Sequence, residues 1–336
     1  MGVRLASTLI ALVSIIAIFG AAQAADLPTI VNLMITAGVP PEATAEEKKA
    51  GELGLVNLYT NISSRDLVAT VFSTQDFIDT RGRIRLTRMG LESEFEFAIS
   101  GKHSDEKLSD LSYLEQSRLL ETSKRYVEST VVCGTNVINA KGFMPQSFDQ
   151  NQDTYAALDL LEIEYSAGFQ AGLLFEPGHE NDVWPYPVEG HNFRAVPVSS
   201  YDLSDDRVVL HDGSFSDAGM DGEEWYDALV GKFDEIEGKD EPMVVSLTNT
   251  VSGSGEYLDA INRFMDYAIS QNATFVTTIH LVEMTKAGVL DASELPEEAA
   301  PEECPECGEE EDGINATITV IEDKEANATE AEGTWS

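Results

Sequence analysis

The chain has 336 residues, of which 60 are acidic and 21 basic, giving a formal net charge of −39. No run of Lys or Arg could neutralise several phosphates, so nucleic acid and anionic membrane surfaces are excluded as partners. Hydrophobic residues at 43% against 24% charged supply a core and exclude global disorder.

The chain opens with Arg4, an uncharged apolar stretch from Leu5 to Ala22, and the small-x-small sequence Ala22-Gln23-Ala24. This predicts a secretory signal peptide over 1–24, with a retained membrane anchor as the alternative reading. After cleavage no other stretch could span a bilayer. Four Asn-x-Ser/Thr sequons, at Asn61, Asn272, Asn315 and Asn327, fit an exported, cell-surface glycoprotein.

From about residue 28 short apolar, β-branched runs alternate with segments of helical period, the pattern of an α/β domain over 25–290. Strands are expected at Ile30 to Ile35, Val68 to Phe72, Phe95 to Ile99, Val131 to Ile138, Met243 to Leu247 and Thr274 to Thr277. Several read as near-continuous apolar runs, as expected of buried parallel strands. Ser112-Tyr113-Leu114-Glu115 reads as a capping box that opens a helix to about Val127. Glu223 to Ile236 and Glu256 to Ser270 carry apolar stripes at helical spacing, and these stripes read as core.

From 291 to 336 periodicity is lost and acidity concentrates, with 15 acidic residues against one Lys between Glu294 and Ser336. This segment reads as an acidic disordered tail. Cys304 and Cys307 can pair locally within it, and Cys133, in an apolar run, reads as a buried inert thiol.

Two polar stretches could carry chemistry. His103 and Asp105 sit in a loop between a predicted strand and a capped helix, where α/β folds place their sites; with Asp149 they form a candidate metal set. Farther on, His179, Trp184, Tyr186, His191 and Asn192 form the densest mixture of aromatic, imidazole and amide groups in the chain. An aromatic face for sugar C–H groups beside polar side chains for hydroxyls is what a glycan cleft needs, and a solvated loop with one buried Trp is the alternative.

The body also resembles the polysaccharide deacetylases, carbohydrate esterases with a NodB-homology domain. Ser64 to Thr74 resembles their Ala-Thr-Phe-Phe strand, and Phe95 to Leu108 the region of their His-Ser-x-x-His motif. Gly142 to Phe148 followed by Thr154 to Tyr165 is similar to their Gly-Phe-Arg-Pro-Pro passage. Trp184 to Tyr186 with Phe193 to Ser199, Met243 to Gly255 and Asn272 to Val282 resemble the later elements, so the similarity spans roughly 28–285 in order. The resemblance implies a distorted (β/α) barrel of about seven strands that acts on acetylated glycans, with a metal held by one Asp and two His, an Asp base and a His acid.

Those catalytic positions fall on other residues here. The paired Asp of the first motif fall on Thr36 and Ala37, the first His of the second on Ser100, the motif Arg on Met144 and the acid His on Thr248. The expected function is therefore that of a secreted relative that binds cell-surface or cell-wall polysaccharide without catalysis and without a cofactor. A divergent deacetylase, with zinc held by His103, Asp105 and Asp149 and with His179 or His191 nearby, is the alternative. A structural cell-envelope protein is the third reading.

Overall fold

A computed structural model describes residues 28–290 except Ser93, Val131, Gly134, Thr135, Ser204 and Asp205. The expected signal peptide, the acidic tail with Cys304 and Cys307, Asn315, Asn327 and the Cys133 side chain lie outside what is described. Among the described residues no helix is long and apolar enough to cross a membrane.

Nine strands form one sheet. They are β1 (Ile30–Ala37), β2 (Thr70–Ser73), β3 (Glu96–Ile99), β4 (Gly142–Phe143), β5 (Tyr165–Gln170), β6 (Tyr186–Pro187), β7 (Arg194–Val198), β8 (Met243–Thr248) and β9 (Thr274–Val276). The order is β8-β1-β2-β3-β4-β5-β7-β6, with β9 also on β1, and every pairing except β6 with β7 is parallel. The sheet curls until its two ends meet. The Ser199 amide donates to the Val244 carbonyl at 3.0 Å, and the Val244 amide donates to the Ser199 hydroxyl at 2.9 Å. Seven strands thus enclose a distorted (β/α) barrel, the expected fold class.

The two faces of β1 explain its largely apolar sequence, in which only Asn32 and Thr36 are polar. Val31, Leu33, Ile35 and Ala37 pack outward against the helices, whereas Ile30 and Met34 face the barrel interior with Phe72, Ala98, Met144, Tyr165 and Val244. Period-two alternation with both faces covered leaves no polar side, as buried parallel strands demand.

Eight helices concern the argument: α1 (Ala45–Ser63), α2 (Arg83–Glu92), α3 (Tyr113–Thr130), α4 (Gln152–Leu160), α5 (Asp212–Asp217), α6 (Gly222–Ile236), α7 (Gly255–Ser270) and α8 (Thr278–Ala287). The start of α3 follows its predicted box, with the Glu115 carboxylate accepting from the Ser112 amide at 2.9 Å. Asp221 caps α6 by accepting from the Glu223 and Glu224 amides. Leu281, Val282 and Met284 of α8 close the amino-terminal end of the barrel.

One expected strand is corrected. Val131 to Ile138 is not a barrel strand; Val132–Cys133 and Asn136–Val137 pair with each other in a short antiparallel ribbon off the main sheet. The Gly134-Thr135 step breaks the apolar run, and the barrel position passes to Gly142–Phe143.

At the closed end, half-buried Glu96 is held by three donors: the Tyr165 hydroxyl at 2.6 Å, the Thr70 hydroxyl at 2.9 Å and the Ile279 amide at 2.8 Å. Desolvation pushes its carboxyl above the usual range, against the pull of these three bonds.

Candidate functional site

At the opposite, carboxyl-terminal end of the strands lies a cavity of about 210 Å³. Barrels of this kind carry their sites at that end, on loops held by rigid strands. Its wall includes Thr36 and Gly38 from the end of β1, Ser104, Met144 to Phe148 after β4, His211, and Thr248 to Thr250 after β8.

Each wall is fixed from behind. Asn249 donates to the Gly51 carbonyl at 2.8 Å and accepts from the Gly38 amide at 3.1 Å, joining the exits of β1 and β8 to α1. Gln146 donates to the Ser100 hydroxyl at 2.6 Å, and that hydroxyl donates to the Met144 carbonyl at 2.7 Å. Ser147 and Phe148 both have positive φ, 51° and 59°. Two successive non-glycine residues in the left-handed region store strain where the wall turns into the cavity.

His211 reaches the rim because the hairpin Ser200–Leu203 with Asp206–Val209 returns between β7 and β8. The Leu210 amide donates to the Ser199 carbonyl at 2.7 Å and the Ser246 amide to the Leu210 carbonyl at 2.9 Å, so the return strand fills the seam. The His211 Nδ1 lies 3.1 Å from the Ser246 hydroxyl oxygen, and the Phe148 ring meets the imidazole edge to face at 5.6 Å. Behind it Asp212 is fully buried. Its Oδ2 accepts from the Thr248 amide at 2.7 Å, the Ser252 amide at 3.1 Å and the Thr248 hydroxyl at 3.3 Å. Its Oδ1 has no hydrogen-bond partner and lies 3.7 Å from the His211 Nδ1. Burial pushes the Asp212 carboxyl up, opposed by the nearby imidazole and by the Thr248 and Ser252 donors.

Of the five positions expected from the resemblance, Thr36, Met144 and Thr248 line the cavity. Thr36 points its hydroxyl at the Met144 sulfur at 3.6 Å. Ala37 packs outward among apolar side chains. Ser100 and Met144 are buried, and Thr248 is tied to Asp212. Together they offer three hydroxyls and a thioether, and the hydroxyls of Ser100 and Thr248 are already engaged. A divalent ion sought by zinc-type chemistry needs carboxylate, imidazole or thiolate ligands, so this set does not fit one.

The candidate metal residues lie elsewhere and apart. The His103 Nδ1 lies 2.6 Å from Asp76 Oδ2, and Asp149 accepts from the Ser109 amide at 2.8 Å. Among the described residues no three His, Cys, Asp or Glu side chains come together as a metal site.

The aromatic-rich loop is also placed outside the cavity wall, and its polar groups meet one another. Trp184 donates to the Asp240 carboxylate at 2.9 Å. Tyr186 is buried, with the His179 ring stacked on it at 4.0 Å, and His179 pairs with Asp182 at 2.6 Å. His191 and the Asn192 amide both bind Asp159, at 2.7 and 2.8 Å. Of the sequons, Asn61 turns its amide back onto the Asn57 carbonyl within α1, whereas Asn272 is exposed just beyond α7.

His211, Asp212 and Asn249 are the site residues that sequence reasoning missed. The available signal was the apolar run Val208 to Leu210 ending in His211-Asp212-Gly213, a strand end followed at once by titratable groups.

No protein-family model matches the sequence, and no curated protein matches it. Solved structures do. A putative polysaccharide deacetylase from Mycobacterium smegmatis superposes with a TM-score of 0.61 at 13% identity, over 83% of this chain and 97% of that one. A probable polysaccharide deacetylase from Pseudomonas aeruginosa PAO1 gives 0.60 at 14%, over 76% and 90%. PuuE allantoinase gives 0.60 at 14%, over 79% and 92%. Likeness at this identity establishes the fold: the chain has the distorted barrel also found in these polysaccharide deacetylases and in PuuE allantoinase.

Proposed function

We propose that this is a polysaccharide deacetylase-like protein that binds a neutral glycan in the barrel-end cavity without hydrolysing it, at the cell surface after export. The observation that carries the reading is the cavity wall. Thr36, Ser104, Gln146, Ser147 and Asn249 bring small neutral polar groups, and Met144 and Phe148 bring apolar surface. Hydroxyls and amides beside an apolar face match the alternating O–H and C–H faces of a sugar. No Lys or Arg is among the described residues that line the cavity, and a chain of net charge −39 disfavours polyanionic saccharides.

A metal-dependent catalytic reading would need carboxylate, imidazole or thiolate ligands at the family's positions, and Thr36, Ala37, Ser100, Met144 and Thr248 do not supply them. The test is calorimetric titration of the mature chain with the tetramers of N-acetylglucosamine, glucose and xylose. Saturable binding of one of them that disappears in Ser104→Trp, which fills the cavity, supports the reading. Binding of none, or binding unaffected by Ser104→Trp, rejects it.

A further inference from the structure

Among the described residues that line the cavity, His211 is the one imidazole. Its Nδ1 is engaged by Ser246 and faces the unpartnered Oδ1 of Asp212. A carboxylate oxygen and a hydroxyl on that side favour the tautomer with the proton on Nδ1, as outer-shell partners of histidine do elsewhere. Nε2 then carries a lone pair, and it has no hydrogen-bond partner among the described residues.

Gly213 keeps that atom uncovered. A β-carbon added at Gly213 would lie 2.8 Å from the His211 Nε2. The glycine sits in the ordinary helical backbone of α5, so its conformation alone does not require Gly there. The missing side chain leaves a space that any other residue would fill.

We propose that His211 is the specificity-determining acceptor of the cavity, taking a hydrogen bond at Nε2 from a hydroxyl of the bound sugar, with Ser246, Asp212 and Phe148 as its positioning residues. This rests on the glycan-binding reading above. The groups facing the ring are Asp212 of α5, Ser246 of β8 and Phe148 after β4; Asp212 is the titratable member, and burial together with the Asp212 charge raises the Tyr257 phenol of α7. Burial pushes the Asp212 carboxyl up, against the pull of the imidazole and of the Thr248 and Ser252 donors. Protonation converts Nε2 from acceptor to donor, so a sugar hydroxyl held to donate there loses its bond.

The experiment titrates the mature chain with the N-acetylglucosamine and glucose tetramers at about pH 5 and about pH 7.5, bracketing the ordinary histidine range. Losing one neutral hydrogen bond predicts binding about fivefold weaker at the lower pH. His211→Gln, checked for an unchanged melting profile, should bind equally at both pH values. Gly213→Ala should weaken binding at the higher pH while leaving the imidazole in place. Affinity that is equal or higher at about pH 5, or a pH dependence that persists in His211→Gln, overturns the assignment but leaves the glycan reading standing. Absence of binding at both pH values removes the glycan reading and this inference with it. Should His211→Gln fail to fold, Gly213→Ala with full wild-type affinity overturns the assignment by itself.

Discussion

Gly54 of α1 and Gly253 after β8 meet backbone to backbone: a β-carbon on Gly253 would stand 2.4 Å from the Gly54 Cα, and one on Gly54 would stand 1.9 Å from the Asn249 carbonyl oxygen. Neither position has room for a side chain, and the loop they clamp carries Asn249.

Gly54→Ala is therefore expected to force α1 away from the β8 exit, costing about 2 kcal/mol as overpacking does. Urea unfolding should show a lower midpoint with an unchanged slope. Because the clamp holds Asn249 against Gly38, glycan affinity should fall together with stability.

Asn249→Ala removes the same link by deletion. It leaves the Gly38 amide and the Gly51 carbonyl without their partner, at a cost of about 1–3 kcal/mol. Thermal melting should register the loss, and Asn249→Asp, which keeps an acceptor for Gly38 but loses the donor to Gly51, should fall between wild type and alanine.

Glu96 predicts a slope in stability with pH. Its folded carboxyl titrates above the unfolded one, so the folded chain keeps a proton that the unfolded chain has already lost. The stabilisation from this group is complete below the ordinary glutamate value of about 4.3 and fades as pH rises through the raised folded value. Glu96→Gln should flatten that part of the profile, measured as denaturant midpoints from about pH 4 to pH 8. Glu96→Ala should destabilise at every pH, because it strands the Tyr165, Thr70 and Ile279 donors.

Trp184 is expected to behave as scaffold. Trp184→Ala breaks its bond to Asp240 and exposes part of the interior cluster it covers, so the melting temperature should drop. Oligosaccharide affinity should stay at the wild-type value, and a selective loss of affinity in a stably folded Trp184→Ala would return Trp184 to the binding surface.

The barrel was legible where strands are long and buried on both faces. Ile30 to Ile35 and Met243 to Leu247 announce themselves by apolar sequence interrupted only by Asn32 and Ser246, because no side of either strand meets water. Gly142–Phe143 could not be found that way, since two residues carry no period. Val131 to Ile138 has the composition of a strand but a glycine at its centre, and composition alone cannot distinguish a barrel strand from a short ribbon. The site was harder for a different reason. His179, Asp182, Trp184, His191 and Asp159 satisfy one another or the neighbouring loop, and a dense polar sequence looks the same whether its groups face inward or face a ligand. His211 stands at the end of a hairpin return, so its place depends on a pairing with Ser246, 35 positions further on.

The seam between β7 and β8 has a mechanical meaning. Elsewhere around the ring adjoining strands pair in register, but here the join runs through a single backbone bond from Ser199 to Val244, the Ser199 hydroxyl and the inserted residues Leu210 and His211. A cylinder closed along one line by so few bonds is a rolled strip with a buckle, and thermal opening should begin at the buckle. Amide exchange at Val244 and Ser246 should then outpace exchange at Val31 and Leu33 of the neighbouring strand. His211 sits on that line, so whatever fills the cavity would also fasten the roll.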